Sequence, residues 1–570
     1  MSYVDVDDEN FNNFINKKYA KYKIPKEKKT MREICYPKQF QLQLPQLFLA
    51  QFINPKTIYK GVLIYHGLGS GKTITAIEIA ENFKNKSAII IVLPASLQTN
   101  FQSELRSPII GNYYLTDTER LILKNNAPSS EIYKDIIRKS DARIAKYYTI
   151  YSYDIFVRLL KQNKLDFDNT LLIIDEAHNM ISETGTRYEE LYNAVHSADD
   201  SLRLVLLTGT PIKNLPSEIA LTMNLLLPED NQLPTDKEFV KEFMNISYTK
   251  NGPVYSVKNM DYFKETIRGY VSYFRGADPI SYPRSEIFFV KTKMSNKQYR
   301  LYKKIIRVES KNTQVKDYVN EEISNSFFIA TRAVSNIVFP NNKLGEKGFE
   351  SMTDDDYTVS KMRELSPKFV KILRKIKKCE GTVFVYSNFK QYAGLKTFAA
   401  FLEHQHFKNY ETAGPGSRRY SFWTGGENKM YKEEVRAVFN NKNNADGSQI
   451  KVILGSASIR EGVTLLRLQE IHLIDVSWNF SKMNQIIGRG IRFCSHKDVP
   501  YDKQLVNVYF YLATDPDIKV SIDEYILKMA INKEIINKQF EKNMKEAAID
   551  CELFKNANTK AGEDDYICDS

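Results

Sequence analysis

The chain has 570 residues, 42% of them apolar and 26% charged, the balance of an ordinary globular protein of about three or four domain-sized units. A net charge of +12 favours a polyanionic partner, because Lys and Arg that neutralise phosphates release counterions. No apolar run reaches the roughly 18 residues of a membrane-spanning helix, and the acidic start MSYVDVDDENF does not have the form of a signal peptide. The five cysteines (Cys35, Cys379, Cys494, Cys551, Cys568) are scattered without a CxxC pair. Neither a disulfide framework nor a zinc site is therefore expected, and a reducing compartment is implied.

Residues 1–37 read as an N-terminal arm. Within it, KKYAKYKIPKEKK at 17–29 interleaves Tyr19 and Tyr22 with lysines, a solvated face or a nucleic-acid contact. From residue 38 short apolar runs alternate with helix-like segments: GVLIYH (61–66), AIIIVLP (88–94), YYTIYSY (147–153), LLIID (171–175) and LRLVLLTG (202–209). Uninterrupted apolar strands between helices predict a parallel sheet covered on both faces, here a first domain over 38–240. Residues 241–360 lack that rhythm and read as a helical insertion. Alternation resumes with GTVFVYSNF (381–389), YSFWTG (420–425), IKVILGS (450–456), IHLIDVS (471–477) and VNVYFYLA (506–513), a second such domain over 361–515. After DPD (515–517), Ser521 and Glu524 form a capping-box pattern. Ile522, Tyr525, Ile526, Met529, Ile536, Phe540 and Met544 then recur at helical spacing, so 516–570 is a helical extension expected to pack on the second domain. The fold class is α/β: two parallel-sheet domains in tandem, a helical insertion between them and a C-terminal helix.

The strand GVLIYH runs into HGLGSGKT and then a helix, the order of a phosphate cradle. His66, Gly67, Leu68, Gly69, Ser70, Gly71, Lys72 and Thr73 form it. Gly69 and Gly71 let backbone N–H groups face the phosphates, Lys72 reaches the β- and γ-phosphates of ATP, and Thr73 offers a hydroxyl to Mg²⁺. DEAH follows the strand LLII at its carboxyl end, where open α/β sheets bind ligands. Asp175 is the candidate Mg²⁺ residue and Glu176 the one that orients and deprotonates the attacking water. His178 is read as a coupling residue rather than a metal ligand. TGTP supplies Thr208, Gly209 and Thr210, whose hydroxyls could bond the DEAH carboxylates and sense the γ-phosphate; an ordinary strand-ending turn is the alternative. Pro94 in LPASL and Tyr153 in YSYDIF are candidate nucleic-acid contacts, with core packing as the alternative. Gln46 is a candidate adenine reader.

Late in the chain, SASIREGVTL supplies Glu461 and Gly462 on a loop after a strand. NQIIGRGIRFCSH then places Gln485, Arg489 and Arg492 on neighbouring turns of a helix face. Planar, always-charged guanidinium groups suit the charge that develops on a transferring phosphoryl group. If the two domains face each other across ATP, closure would bring these arginines to the γ-phosphate and hydrolysis would ratchet a bound strand or duplex.

The cradle, LPASL, DEAH, TGTP, SASIREG and QxxGRxxR, in that order over residues 40–500, resemble the superfamily-two helicases and translocases. That resemblance implies RecA-like domains. LTGTPIKNLPSEIALTMNLLLP further resembles the Swi/Snf-type remodelling motors, which translocate on duplex DNA. GRGIRFCSH followed by VNVYFYLA, with RGYVSYFRG (268–276) and AAIDC (547–551), is similar to the nucleoside triphosphate phosphohydrolase I and early-transcription-factor ATPases of poxviruses and other large cytoplasmic DNA viruses. The resemblance implies a DNA-dependent ATPase serving viral transcription with a viral RNA polymerase or transcription-factor subunit as partner. Its setting would be the host cytoplasm (the viral factory) and the virion. DNA is favoured over RNA, and no membrane association is expected. His66 departs from the small residue usual at its position. The competing readings are a strand-separating DNA or RNA helicase, and an ATP-binding subunit of a transcription-initiation factor.

Overall fold

The computed structural model describes residues 3–569 except 27–28, 38–40, 68, 127–129, 182–185, 213–214, 250–251, 277, 313–325, 461–462 and 560–566. It divides into two compact units, Met1–Asp278 with Ile535–Ser570, and Pro279–Glu534.

In the first unit, strands β1 (Gly61–His66), β2 (Ala88–Leu93), β3 (Tyr148–Ser152), β4 (Thr170–Asp175) and β5 (Arg203–Thr208) fall where the apolar runs place them. A hairpin, β6 (Met244–Thr249) and β7 (Gly252–Val257), stands apart from them. β8 (Val271–Phe274) completes a six-stranded sheet of order β3-β2-β4-β5-β1-β8 in which every pairing is parallel. Every residue of β1 and β4 is buried, as a sheet with both faces covered requires.

The second unit holds β9 (Arg284–Lys293), β10 (Thr382–Tyr386), β11 (Lys408–Asn409), β12 (Arg419–Trp423), β13 (Val452–Gly455), β14 (Leu468–Leu473) and β15 (Leu505–Thr514). They form a seven-stranded parallel sheet of order β11-β12-β13-β10-β14-β15-β9. The α/β class with two parallel sheets is therefore as expected.

Four expectations need correction. The segment 241–360 is not a separate insertion. β8 joins β1 in the first sheet, and β9 pairs along ten residues with β15 in the second. β9 carries the apolar run IFFV at 287–290, yet as an edge strand it leaves Ile287, Phe288 and Phe289 exposed. The N-terminal segment is not a solvated arm: Phe11, Ile15, Tyr19 and Tyr22 are buried in the first unit's core. There Phe48 meets Tyr19 edge-on at 5.2 Å and Phe554 at 5.7 Å.

The C-terminal extension, too, is not confined to the second domain. In the helix Ile522–Glu546, Ile522, Ile526, Met529 and Ala530 belong to the second unit's core. Phe540 lies 5.3 Å from Phe239 in the first unit, and Ile549, Leu553 and Phe554 enter that unit's core. The cysteines, finally, are not all unpaired. Cys551 and Cys568 form a disulfide with Cα atoms 5.7 Å apart, a pairing made by the fold of the C-terminal segment rather than by a spacing motif.

Candidate nucleotide site

Three of the predicted motifs start in one row across the first sheet. Asp175 at the end of β4 pairs with Leu207, Thr208 at the end of β5 pairs with Tyr65, and His66 at the end of β1 pairs with Phe274. Parallel strands emit their loops on one side, so the phosphate loop, DEAH and TGTP all leave the carboxyl edge of adjacent strands.

The phosphate loop is shaped by backbone constraints. Gly69 and Gly71 have φ of 77° and 78°, the left-handed region that side chains disfavour. Gly67 approaches β8 so closely that a Cβ would lie 2.0 Å from the Arg275 carbonyl oxygen. Its N–H donates to the Phe274 carbonyl at 2.9 Å. Lys72 opens the helix Lys72–Glu81 and donates to the His66 carbonyl at 3.2 Å. Ser70 is buried and Thr73 half-buried. Leu68 lies outside the described residues. Gln46 sits in the first turn of the helix Leu44–Phe52 with its amide turned to backbone: Oε1 accepts from Gln43 N at 2.8 Å, and Nε2 donates to the Gly71 carbonyl at 3.4 Å.

Around DEAH, Glu176 takes a left-handed conformation (φ 50°, ψ 47°) and its N–H donates to Asp175 Oδ1 at 2.9 Å. Burial pushes the Asp175 carboxyl up to about 7, the Glu176 carboxylate adds to the push, and Lys72 pulls against it. Thr208 bonds His178 rather than the carboxylates: its Oγ1 lies 2.9 Å from His178 Nδ1 and accepts from Thr210 N at 3.0 Å. His178 Nδ1 is 3.5 Å from Glu176 Oε2. Gly209 and Thr210 are half-buried beyond the strand.

The two candidate nucleic-acid contacts separate. Pro94 is half-buried at the carboxyl end of β2 beside exposed Ala95 and Ser96. Tyr153 is buried, and its hydroxyl donates to the carbonyls of Asp175 and, at 3.1 Å, Glu176. This tyrosine braces the DEAH turn from inside, which favours core packing, the alternative to a nucleic-acid contact.

In the second unit the helix Phe480–Ile487 ends before the arginines. The N–H groups of Arg489 and Gly490 turn back to the carbonyls of Ile486 and Ile487 at 3.1 Å, so both arginines sit in tight turns past the helix, not on its face. Gly490 packs closely on β14: a Cβ there would lie 2.5 Å from Leu468 Cδ2, so that side chain would have to shift. Arg489 is buried. It donates to the Gln485 carbonyl at 3.2 Å and the Val463 carbonyl at 3.3 Å, and its own carbonyl accepts from Leu465 N at 2.8 Å. Arg492 donates to Thr464 Oγ1 and to the Gly488 carbonyl, both at 2.9 Å. The arginine turn thus grips the loop that follows SASIREG. Glu461 and Gly462 themselves lie outside the described residues. His496 anchors the turn, with Nε2 2.7 Å from the Leu468 carbonyl, and burial lowers its pKa to about 4.

Sequence reasoning missed residues that hold these parts in place. Asp475 accepts from Ser387 Oγ and from Asn388 N at 3.0 Å, joining the ends of β14 and β10. Arg332 lies over the Trp478 ring at 4.7 Å. Ser272 and Asp550 are buried behind the phosphate loop. Their signals were a lone serine in YVSYF and a lone aspartate in AAIDC, polar atoms in apolar runs.

A phosphate loop, an acidic pair and a threonine turn on adjacent strands of one parallel sheet, with a second parallel sheet carrying arginines, define a helicase-like ATPase of superfamily two. The chain belongs to that family. Residues 46–339 match the SNF2-related domain and residues 367–494 the helicase conserved C-terminal domain. It is 63% identical over 569 residues to a protein of Acanthamoeba polyphaga mimivirus named "Putative ATP-dependent RNA helicase", covering 100% of this chain and 99% of that one. It is 25% identical to the "Termination factor NPH-I homolog" of African swine fever virus, over 86% of this chain and 76% of that one. Among solved structures it overlays the Sulfolobus solfataricus SWI2/SNF2 ATPase core in complex with dsDNA at a TM-score of 0.30 and 14% identity, over 86% of this chain and 91% of that one, too loose to carry an argument. The chain is an ATP-hydrolysing enzyme with helicase domains, and among the described residues no helix is long and apolar enough to cross a membrane.

Proposed function

We propose that this ATPase is a motor that tracks along double-stranded DNA and serves viral transcription in the host cytoplasm, at initiation or at transcript release, beside an RNA polymerase or transcription factor. The observation that carries this reading is the match of residues 46–339 to the SNF2-related domain, since the Swi/Snf-type motors translocate on duplex DNA. The termination-factor name of the African swine fever virus relative supports the transcription role.

In this reading Lys72 and the loop N–H groups bind the phosphates of ATP, and Glu176 takes the proton of the attacking water. Arg489 and Arg492 stabilise the charge that develops on the transferring group. Thr73 and Asp175 would hold Mg²⁺: both offer oxygen, the donor this ion prefers, and a buried carboxyl that resists ionisation is relieved by a cation. Bound there, the ion would neutralise charge on the phosphate oxygens.

A second reading, an RNA helicase, is favoured by the name of the mimivirus relative. One experiment separates them. ATP turnover is measured for the purified chain alone and with duplex DNA, single-stranded DNA or single-stranded RNA, beside Glu176→Gln. Stimulation by duplex DNA that is lost in Glu176→Gln is the expected result. Stimulation by RNA alone would overturn the DNA reading.

A further inference from the structure

Behind the phosphate loop runs a buried chain of side chains with no assigned role. His66 ends β1, Ser272 lies on the neighbouring β8, and Asp550 follows the long C-terminal helix; none of the three is exposed to solvent. His66 Nε2 is 3.0 Å from Ser272 Oγ. The Ser272 hydroxyl donates to Asp550 Oδ2, and Asp550 Oδ1 accepts from Tyr273 N at 2.9 Å. With the serine hydrogen spent on the aspartate, Ser272 Oγ accepts from His66, which fixes the proton of the neutral imidazole on Nε2. Nδ1 is then an acceptor, and it is buried with no hydrogen-bond partner among the described residues. An unsatisfied buried nitrogen costs stability, which argues for a use beyond packing.

Both ends of this chain lead somewhere. At one end, the His66 carbonyl holds Lys72 and the next residue, Gly67, is clamped against β8. At the other end, the C-terminal segment grips β8 again through Asn558, which accepts from Arg275 N at 2.8 Å and donates to the Tyr273 carbonyl at 3.1 Å. Lys545 lies over the Tyr273 ring at 4.8 Å and the Tyr65 ring at 5.9 Å. Half-buried Glu541 bonds Tyr65, the residue before His66. The last two residues of β1 are therefore held by the C-terminal segment through side chains, although some 480 residues separate them in the chain.

We propose that His66, Ser272 and Asp550 form a positioning relay through which the C-terminal segment sets the phosphate loop for ATP. The three are positioning residues: they act on nucleotide through Lys72 and the loop backbone. A small residue at position 66 could not reach Ser272, so the histidine adds a link from the phosphate loop's first residue to those that Tyr65 and β8 already make with the C-terminal segment. The relay rests on ATP hydrolysis alone and is independent of which nucleic acid the motor follows.

The test uses the full chain without nucleic acid. Ser272→Ala removes the middle of the relay, Ser272→Thr keeps the hydroxyl, and Asp550→Asn keeps the shape of the far end. KM for ATP, kcat, binding of a fluorescent ATP analogue and melting temperature are measured for each, with the double variant Ser272→Ala/Asp550→Asn. We expect Ser272→Ala to raise KM and the analogue's Kd about tenfold, the scale of one lost buried hydrogen bond, with a smaller change in kcat. Ser272→Thr should restore both, and the double variant should be no worse than the weaker single one, because each breaks the same chain. Parental KM and analogue binding together with a lower melting temperature would assign the network to fold stability alone and overturn the relay. So would effects of the two substitutions that multiply as independent changes.

Discussion

Thr208 Oγ1 lies 2.9 Å from His178 Nδ1, so a side chain on the TGTP strand is tied to the turn that carries DEAH. The same hydroxyl receives Thr210 N, and the histidine nitrogen is 3.5 Å from Glu176. A movement of the threonine turn is thus felt, through His178, at the Glu176 carboxylate, for which the proposed role is to take the proton of the attacking water. Thr208→Val keeps the shape and removes the link, a loss of about 1 kcal/mol. We expect the stimulation of ATP turnover by nucleic acid to fall several-fold while unstimulated turnover changes less. An unchanged ratio of the two rates would show that the link does not couple.

The Tyr153 hydroxyl makes a sharper prediction, because the sequence leaves two readings open and the structure favours one. As a brace for the Asp175 and Glu176 carbonyls, its loss should disturb catalysis and leave nucleic-acid binding alone. Tyr153→Phe is expected to lower kcat by about tenfold, the scale of one buried hydrogen bond. Its Kd for nucleic acid, measured by fluorescence anisotropy, should match the parent. A weakened Kd with parental kcat would return Tyr153 to the binding surface.

Tyr153 shows what could be read in advance. The phosphate loop, DEAH and TGTP were legible because each is a polar motif directly after an apolar strand, and a parallel sheet places such ends together. Features that depend on distant partners were not. Tyr19 and Tyr22 sit among lysines and look solvated until Phe48 packs against both, with Phe554 behind Phe48. β8 is only four residues long and needs β1 beside it to be a strand at all. Arg489 and Arg492 were recognised as a pair, but not as the grip on residues 463–465. Glycine spacing alone does not reveal that the helix stops at Ile487.

Asp550 gives a pH dependence with a definite sign. Burial pushes its carboxyl from the ordinary 3.8 up to about 7, against hydrogen bonds from Ser272 and Tyr273 that pull it down. The folded chain therefore holds this proton more tightly than the unfolded one. The stabilisation is fully present below pH 3.8, is lost as pH rises towards about 7, and stays lost above it, on the order of 4 kcal/mol across that window. Asp550→Asn cannot titrate, so the difference in unfolding free energy between variant and parent should grow in the variant's favour from pH 5 to pH 8. Urea melts at the two pH values measure it, and a difference that does not change with pH would contradict the shift.

The disulfide between Cys551 and Cys568 closes a loop of 17 residues beginning next to Asp550. A loop of that length restricts the unfolded chain by about 3 kcal/mol in the chain-entropy account. Cys568→Ser should melt lower than the parent without reductant, and the two should converge in dithiothreitol. Equal melting temperatures without reductant would show that the bridge contributes nothing to stability.

Lys368 and Asp523 meet at 2.7 Å with side chains 1% and 2% exposed. The ammonium also donates to Asn336 Oδ1 and the Ile474 carbonyl, both at 3.1 Å, and the carboxylate accepts from Ala513 N at 2.8 Å. One pair thus ties the start of the C-terminal helix to the ends of β14 and β15. Removing one partner strands a buried charge, which costs about 3–5 kcal/mol, whereas replacing both with apolar residues of similar size can be nearly neutral. Lys368→Met should therefore lower the unfolding free energy by that amount, and Lys368→Met/Asp523→Leu should recover a large part of it. Chemical denaturation of the two variants decides the matter: a double variant less stable than the single one would mean that the bonds to Ala513, Asn336 and Ile474, rather than the ion pair, carry the stabilisation.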